Sequence, residues 1–163
     1  MLIGEQPGNV EDLKGEAFVG PAGKVLDRAL ESSGIARDSV YLTNAVKHFY
    51  YEARGKVRLH KKPRGSHVTA CHVWLEAELE IVKPRVIVPL GETAALAVLG
   101  RHARIQAERG QLLPHHSAAA VVITNHPSYI LRIRDKIAGE QEFARMVEDL
   151  RLAAKLSRQQ TAD

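Results

Sequence analysis

Four side chains in this sequence have chemistry to offer, and each stands inside a short motif: Glu5, Asn44, His60 and His126. His60 closes the run Lys56-Val57-Arg58-Leu59-His60, within residues 47–64, which hold seven Lys or Arg against one acid, Glu52. Cations set beside phosphates release counterions, so such a run suits a polyphosphate backbone. On charge alone, a solvated basic loop without a partner explains it as well. An imidazole near neutral pH keeps a free lone pair and can act as acid, base or nucleophile. Glu5 lies in Gly4-Glu5-Gln6-Pro7-Gly8 and His126 opens His126-Pro127-Ser128. Taken singly, each of these also reads as a turn after a strand, because Gly and Pro make turns everywhere.

Something must carry these motifs to one place. The 163 residues, 45% hydrophobic and 5% aromatic, suffice for one domain with an aliphatic core, expected over residues 1–156 with a polar tail at 157–163. Strand-like segments are expected at 2–4, 40–46, 86–90 and 121–124. Helices are expected at 21–33, after a Ser66 cap with Val68, Cys71, Leu75, Leu79 and Val82 inward, at 92–99, and at 139–156 with Phe143, Met146, Val147 and Leu150 inward. Residues 47–65 read as loop. Alternating strands and helices imply an α/β fold, three layers α/β/α around a mainly parallel four-stranded sheet. In such sheets ligands bind off the carboxyl ends of the strands, and Gly4–Gly8, residues 44–60 and residues 126–128 all follow strands. No apolar run is long enough to span a bilayer, and no signal peptide is expected before the first motif. The single cysteine, Cys71, excludes an intramolecular disulfide and fits a reducing cytoplasm, and the net charge of +4 is compatible with a nucleic-acid partner.

Together the motifs are more specific than any one of them. Gly4-Glu5-Gln6-Pro7-Gly8, Phe18-Val19-Gly20-Pro21-Ala22-Gly23, Thr43-Asn44-Ala45-Val46-Lys47-His48 and His126-Pro127-Ser128 resemble the uracil-DNA glycosylase superfamily. The resemblance is greatest to its UdgX-type branch, near the iron–sulfur family 4 enzymes, and runs from Leu2 to about Ala153. The branch carries a basic loop ending in histidine, usually Lys-Arg-Arg-Ile-His; here a valine replaces one arginine.

The resemblance implies a monomeric DNA-repair enzyme acting on uracil-containing DNA, single-stranded or with the base flipped from a duplex. Phe18 would stack on the base. Asn44 would read its edge, since an amide can accept from N3–H and donate to O4 while cytosine presents the opposite pattern. Gly4 and the backbone near Gln6 would contact the base, and Gly8 would allow close approach. His126 would donate to O2 of the leaving uracil, and Glu5 would stabilise the cationic sugar or orient a nucleophile. Ser128 would bind phosphate, and residues 129–132 would wedge into the base stack. Lys56, Lys61, Lys62 and Arg132 would lie along the DNA. In the UdgX type the loop histidine captures C1′ and leaves protein joined to DNA. His60 would take that part, with Arg58 anchoring the loop.

Two departures bear on this expectation. Asn9 stands where the nearest relatives usually carry an acid. Those relatives also have two cysteines before the first motif, which with two later ligands hold a 4Fe–4S cluster. His48 and Cys71 match the later pair, and two ligands do not close a cluster. The expectation is therefore an N-terminally truncated chain in which the cluster is absent or incomplete, with Cys71 as a small buried hydrophobe. Two alternatives stand beside covalent capture: a turnover glycosylase that uses water, and a uracil-DNA binding protein without catalysis.

Overall fold

The computed structural model describes residues 1–117 and 119–159. Among the described residues, seven strands and seven helices follow one another as β1 (Leu2–Gly4), α1 (Asn9–Lys14), α2 (Pro21–Ser32), β2 (Leu42–Asn44), β3 (Tyr51–Arg54), β4 (Val57–His60), α3 (Gly65–Val82), β5 (Val86–Pro89), α4 (Glu92–Leu99), α5 (Ile105–Glu108), β6 (Leu112–Leu113), β7 (Ala120–Val122), α6 (Pro127–Arg132) and α7 (Lys136–Gln159). A 3-10 turn, Arg37–Ser39, precedes β2.

The sheet order is β2-β1-β5-β7-β6, with every pairing parallel except β6 against β7. The four expected strands are thus joined by a fifth. β6 has two residues, too short to leave a periodic signal, and it closes an edge that would otherwise expose unpaired backbone groups. Alternation along the strands sends side chains to two cores. Leu2, Val86, Val88, Ala120 and Val122 pack with Leu26, Leu30, Met146 and Leu150 of α2 and α7. Ile3, Ile87, Val121 and Ile123 pack with Val68, Leu75 and Leu79 of α3 and with the alanines of α4. That is the α/β/α layering.

Three local expectations are corrected. Residues 47–65 are not loop throughout, since β3 and β4 form an antiparallel hairpin pairing Tyr51 with His60 and Ala53 with Arg58. The turn residues are Gly55 and Lys56. Gly55, at φ 59°, supplies the left-handed conformation a two-residue hairpin turn needs. Helix α3 is capped by Arg64, not Ser66, with the Arg64 N–H donating to the His67 ring. The last helix starts earlier and runs through 157–159 of the expected tail, and residues 160–163 lie outside the described residues. Among the described residues no helix is long and apolar enough to cross a membrane.

Candidate functional site

The carboxyl ends of the parallel strands open onto a cleft of about 890 Å³ lined by Glu5, Phe18, Asn44, His60, Asn125 and His126, with Lys62 and Arg132 among the residues around it. The turn after β1 supplies Glu5, the end of β2 supplies Asn44 and the segment after β7 supplies His126. His60 comes from the end of the hairpin.

Glycine makes room at the base of the cleft. A Cβ on Gly4 would collide with the Asn44 amide oxygen and the tip of the Phe18 ring. Asn44 is 8% exposed, and among the described residues its amide has no hydrogen-bond partner. Among the described residues no fully buried side-chain polar atom lacks a partner, so the Asn44 amide meets solvent in the cleft and is free to pair with a ligand there. Phe18 is buried and sits at φ 56°, a strained conformation for a residue with a side chain. Its carbonyl accepts from Arg37 at 3.2 Å and lies where a Cβ on Gly23 would fall. The Arg37 bond thus helps to hold this conformation, and Gly23 leaves the space that the carbonyl occupies.

His126 caps α6. Its Nδ1 accepts from the Ser128 backbone N–H at 3.1 Å and lies 2.8 Å from the Ser128 hydroxyl. With Nδ1 an acceptor, the proton of the neutral ring is on Nε2. Burial is the main reason the His126 pKa is pushed down to about 4, so the ring is neutral at physiological pH. Ser128 is thereby occupied with His126, and its hydroxyl also accepts from Arg132 at 3.1 Å. Tyr129 and Leu131 on α6 are 40% and 52% exposed at the rim.

Glu5 sits between two partners. Its Oε1 lies 3.4 Å from His60 Nε2 and its Oε2 accepts from the Thr93 hydroxyl at 2.5 Å. Burial alone would push the carboxyl up, but the hydrogen bonds from His60 and Thr93 outweigh it and hold Glu5 below the ordinary glutamate value. His126 adds little at neutral pH, because an uncharged ring cannot stabilise a carboxylate by its charge.

The hairpin is fastened at three points. The buried Gln6 side chain donates to the Tyr50 and Lys61 carbonyls, both at 3.1 Å, and accepts from the Tyr50 N–H at 3.0 Å. Arg58 donates to Asn9 Oδ1 at 2.7 Å and to Asp12 at 2.5 Å, while its guanidinium lies over the Phe49 and Tyr51 rings. Lys62 reaches Glu92 at 2.7 Å. Arg58 and His60 are two apart on one strand and share a face, so anchoring Arg58 aims His60. Asn9, the departure noted in the sequence, is part of this anchor. Lys61 pairs with Glu52 at 2.6 Å, whereas Lys56 stands exposed at the turn.

Sequence reasoning missed Glu11, Glu92 and Thr93. The Glu11 carboxylate accepts from the Gly20 N–H at 2.7 Å and would meet any Cβ added at Gly8 or Gly20, which is where the Gly8 requirement arises. Glu92 and Thr93 follow Leu90-Gly91 at the end of β5, and that strand-then-glycine pattern was the available signal.

His48 and Cys71 come together away from the cleft lining. Cys71 is buried, its Sγ is 3.8 Å from His48 Nδ1, and the Lys47 N–H points at the same sulfur at 3.4 Å. Among the described residues no three His, Cys, Asp or Glu converge as a metal site, and an iron–sulfur cluster takes about four ligands. These residues alone do not fit the group, so no chemical step is assigned to it.

Comparison with known proteins gives a consistent result. The sequence profile described as Uracil DNA glycosylase superfamily matches residues 1–151. A protein of Thermotoga maritima named Type-4 uracil-DNA glycosylase is 38% identical over 135 residues, 82% of this chain and 67% of that protein. Proteins of the same name from Pyrobaculum aerophilum and Archaeoglobus fulgidus are 35% and 42% identical, over 86% and 58% of this chain and 71% and 44% of their own lengths.

Proposed function

Since this chain belongs to the uracil DNA glycosylase superfamily, we propose that it excises uracil from DNA in repair and then becomes joined to the strand through His60, in the manner of the UdgX type. The observation that carries the reading is His60 Nε2 standing 3.4 Å from Glu5 Oε1, at the mouth of the cleft that holds Asn44 and His126. The excision itself has further support in the names of the relatives, each a Type-4 uracil-DNA glycosylase.

The unpaired Asn44 amide accepts from uracil N3–H and donates to O4. Cytosine would leave both groups unmatched, a strong basis for rejection. As the C1′–N1 bond breaks, its electron pair leaves with uracil. Neutral His126 donates Nε2–H to O2 and stabilises that charge, and the uracil anion then takes a proton from water. Glu5, held ionised, faces the developing sugar cation. As His60 Nε2 forms a bond to C1′, its proton passes to Glu5 Oε1, 3.4 Å away, leaving a neutral alkylated imidazole and a protonated Glu5 that returns its proton to solvent.

A denaturing gel with a uracil-containing oligonucleotide tests this. The wild type should give a heat-stable shifted band. His60→Ala should lose the band yet still release uracil, because water can reach the cation through the space vacated. A band retained by His60→Ala would refute capture by this residue. Uracil release without any band in the wild type would make the protein a turnover glycosylase.

A further inference from the structure

We propose that Thr93 is a positioning residue for Glu5, fixing the carboxylate so that one oxygen is held by the Thr93 hydroxyl and the other is left facing His60 and the sugar. This rests on the reading of Glu5 and His60 given above.

The geometry is specific. β1 and β5 are neighbours in the sheet, so the turn that follows each opens onto the same cleft. Thr93 lies in the first turn of α4, where a threonine ordinarily caps its own helix or bonds back to the backbone. It does neither. The α4 cap is Gly91, with no side-chain cap bond, and the Thr93 hydroxyl crosses to a carboxylate 88 residues away. Thr93 is 5% exposed, so its hydroxyl is largely shielded from bulk water. A carboxylate turns about its last torsion with little preference. Pinning Oε2 removes that freedom and leaves Oε1 toward Nε2 of His60. The same turn also bears on the other imidazole. A Cβ on Gly91, at φ 87°, would come within 3.0 Å of the His126 Cβ. One short turn therefore spaces both Glu5 and His126.

The interaction acts on the charge that develops at the sugar, so its loss should reduce the chemical rate and not the affinity. Thr93→Val keeps the shape and removes the hydroxyl, and Thr93→Ser keeps the hydroxyl. Under single-turnover conditions, Thr93→Val should release uracil about tenfold more slowly, with affinity for the uracil oligonucleotide within about twofold of wild type. Thr93→Ser should stay within about threefold of wild type. In a carboxyl-carbon NMR titration, the Glu5 midpoint should rise in Thr93→Val and return in Thr93→Ser. A Thr93→Val protein as fast as wild type overturns the proposal. So does a rate loss shared equally by Thr93→Ser, or a rate loss with the Glu5 titration unmoved. If the wild type itself neither releases uracil nor forms an adduct, the proposed activity is wrong, and the Glu5 titration alone still decides what Thr93 does.

Discussion

Two sets of ion pairs of similar length do opposite work in this molecule. Behind β7, Arg109 donates to Glu142 at 2.7 Å and to Asp149 at 2.8 and 3.0 Å, and all three side chains are nearly closed to solvent. Thr124 donates to Asp149 at 2.6 Å and Asn125 to Glu142 at 2.8 Å, so the two residues before His126 are tied into the same dry network. At the hairpin, Arg58–Asp12, Lys61–Glu52 and Lys62–Glu92 measure 2.5 to 2.7 Å, with side chains from about a quarter to two thirds exposed. A buried charge left unpaired costs several kcal/mol, whereas an exposed pair contributes a fraction of one. The segment leading to His126 is therefore built into the fold, and the element carrying His60 is attached to it by bonds that water and salt can replace.

The largest effect should come from the dry side. Arg109→Ala leaves Glu142 and Asp149 buried without their main partner and should cost about 3 kcal/mol in urea melts. A loss below about 1 kcal/mol would put the two networks on one footing and end the contrast.

The buried side also gives a pH signature. The His126 pKa falls from 6.5 to about 4 on folding, so between those values the unfolded chain binds the proton that the folded chain refuses. Stability is therefore full above about pH 6.5 and falls as pH drops toward 4. Between pH 7 and 4.5 the wild type should lose about 2 kcal/mol more than His126→Gln in paired urea melts. Equal losses would mean that His126 is open to water, like the hairpin.

On the hairpin side, Arg58→Ala should cost less than about 1 kcal/mol of stability yet slow adduct formation about tenfold, because His60 loses its aim while the cleft does not. Uracil release should stay near wild type. A parallel loss of uracil release would show that Arg58 also supports the pocket.

The smallest effect separates two lysines. Lys56 has no ion pair among the described residues, whereas Lys62 must leave Glu92 to meet a phosphate. In anisotropy titrations over a range of salt, Lys56→Gln should make the slope of log affinity shallower by about 0.7 to 0.9, and Lys62→Gln by less. An unchanged slope for both would take the DNA path away from the hairpin.

The sequence shows the parallel sheet clearly because residues 86–90 are apolar and bounded by turns, as a strand buried on both faces must be. The motifs at Glu5, Asn44 and His126 are legible for the same reason, since each follows such a strand. The hairpin hides because its strands are only four residues long and their apolar residues share no common face: Tyr51 and Ala53 pair with His60 and Arg58, while Val57 and Leu59 pair with Arg54 and Glu52. Glu142 and Asp149 hide more thoroughly. A carboxylate on an amphipathic helix reads as solvent-facing, and nothing local announces that Arg109, 33 and 40 residues away, will pair with it. Thr93 is silent too, since its partner lies 88 residues away in sequence.

The pairing of β3 with β4 also bears on how such a molecule could change over generations. The hairpin shares no strand with the main sheet and comes from one continuous stretch of sequence. The other groups that line the cleft, Glu5, Asn44 and His126 among them, come from segments at the ends of separate strands of the main sheet. A single insertion, deletion or segment swap between Phe49 and Arg64 could therefore supply or remove the proposed nucleophile, His60, and leave the proposed reader of the base in place. On the function proposed above, the step that ends the reaction can be inherited separately from the recognition that begins it.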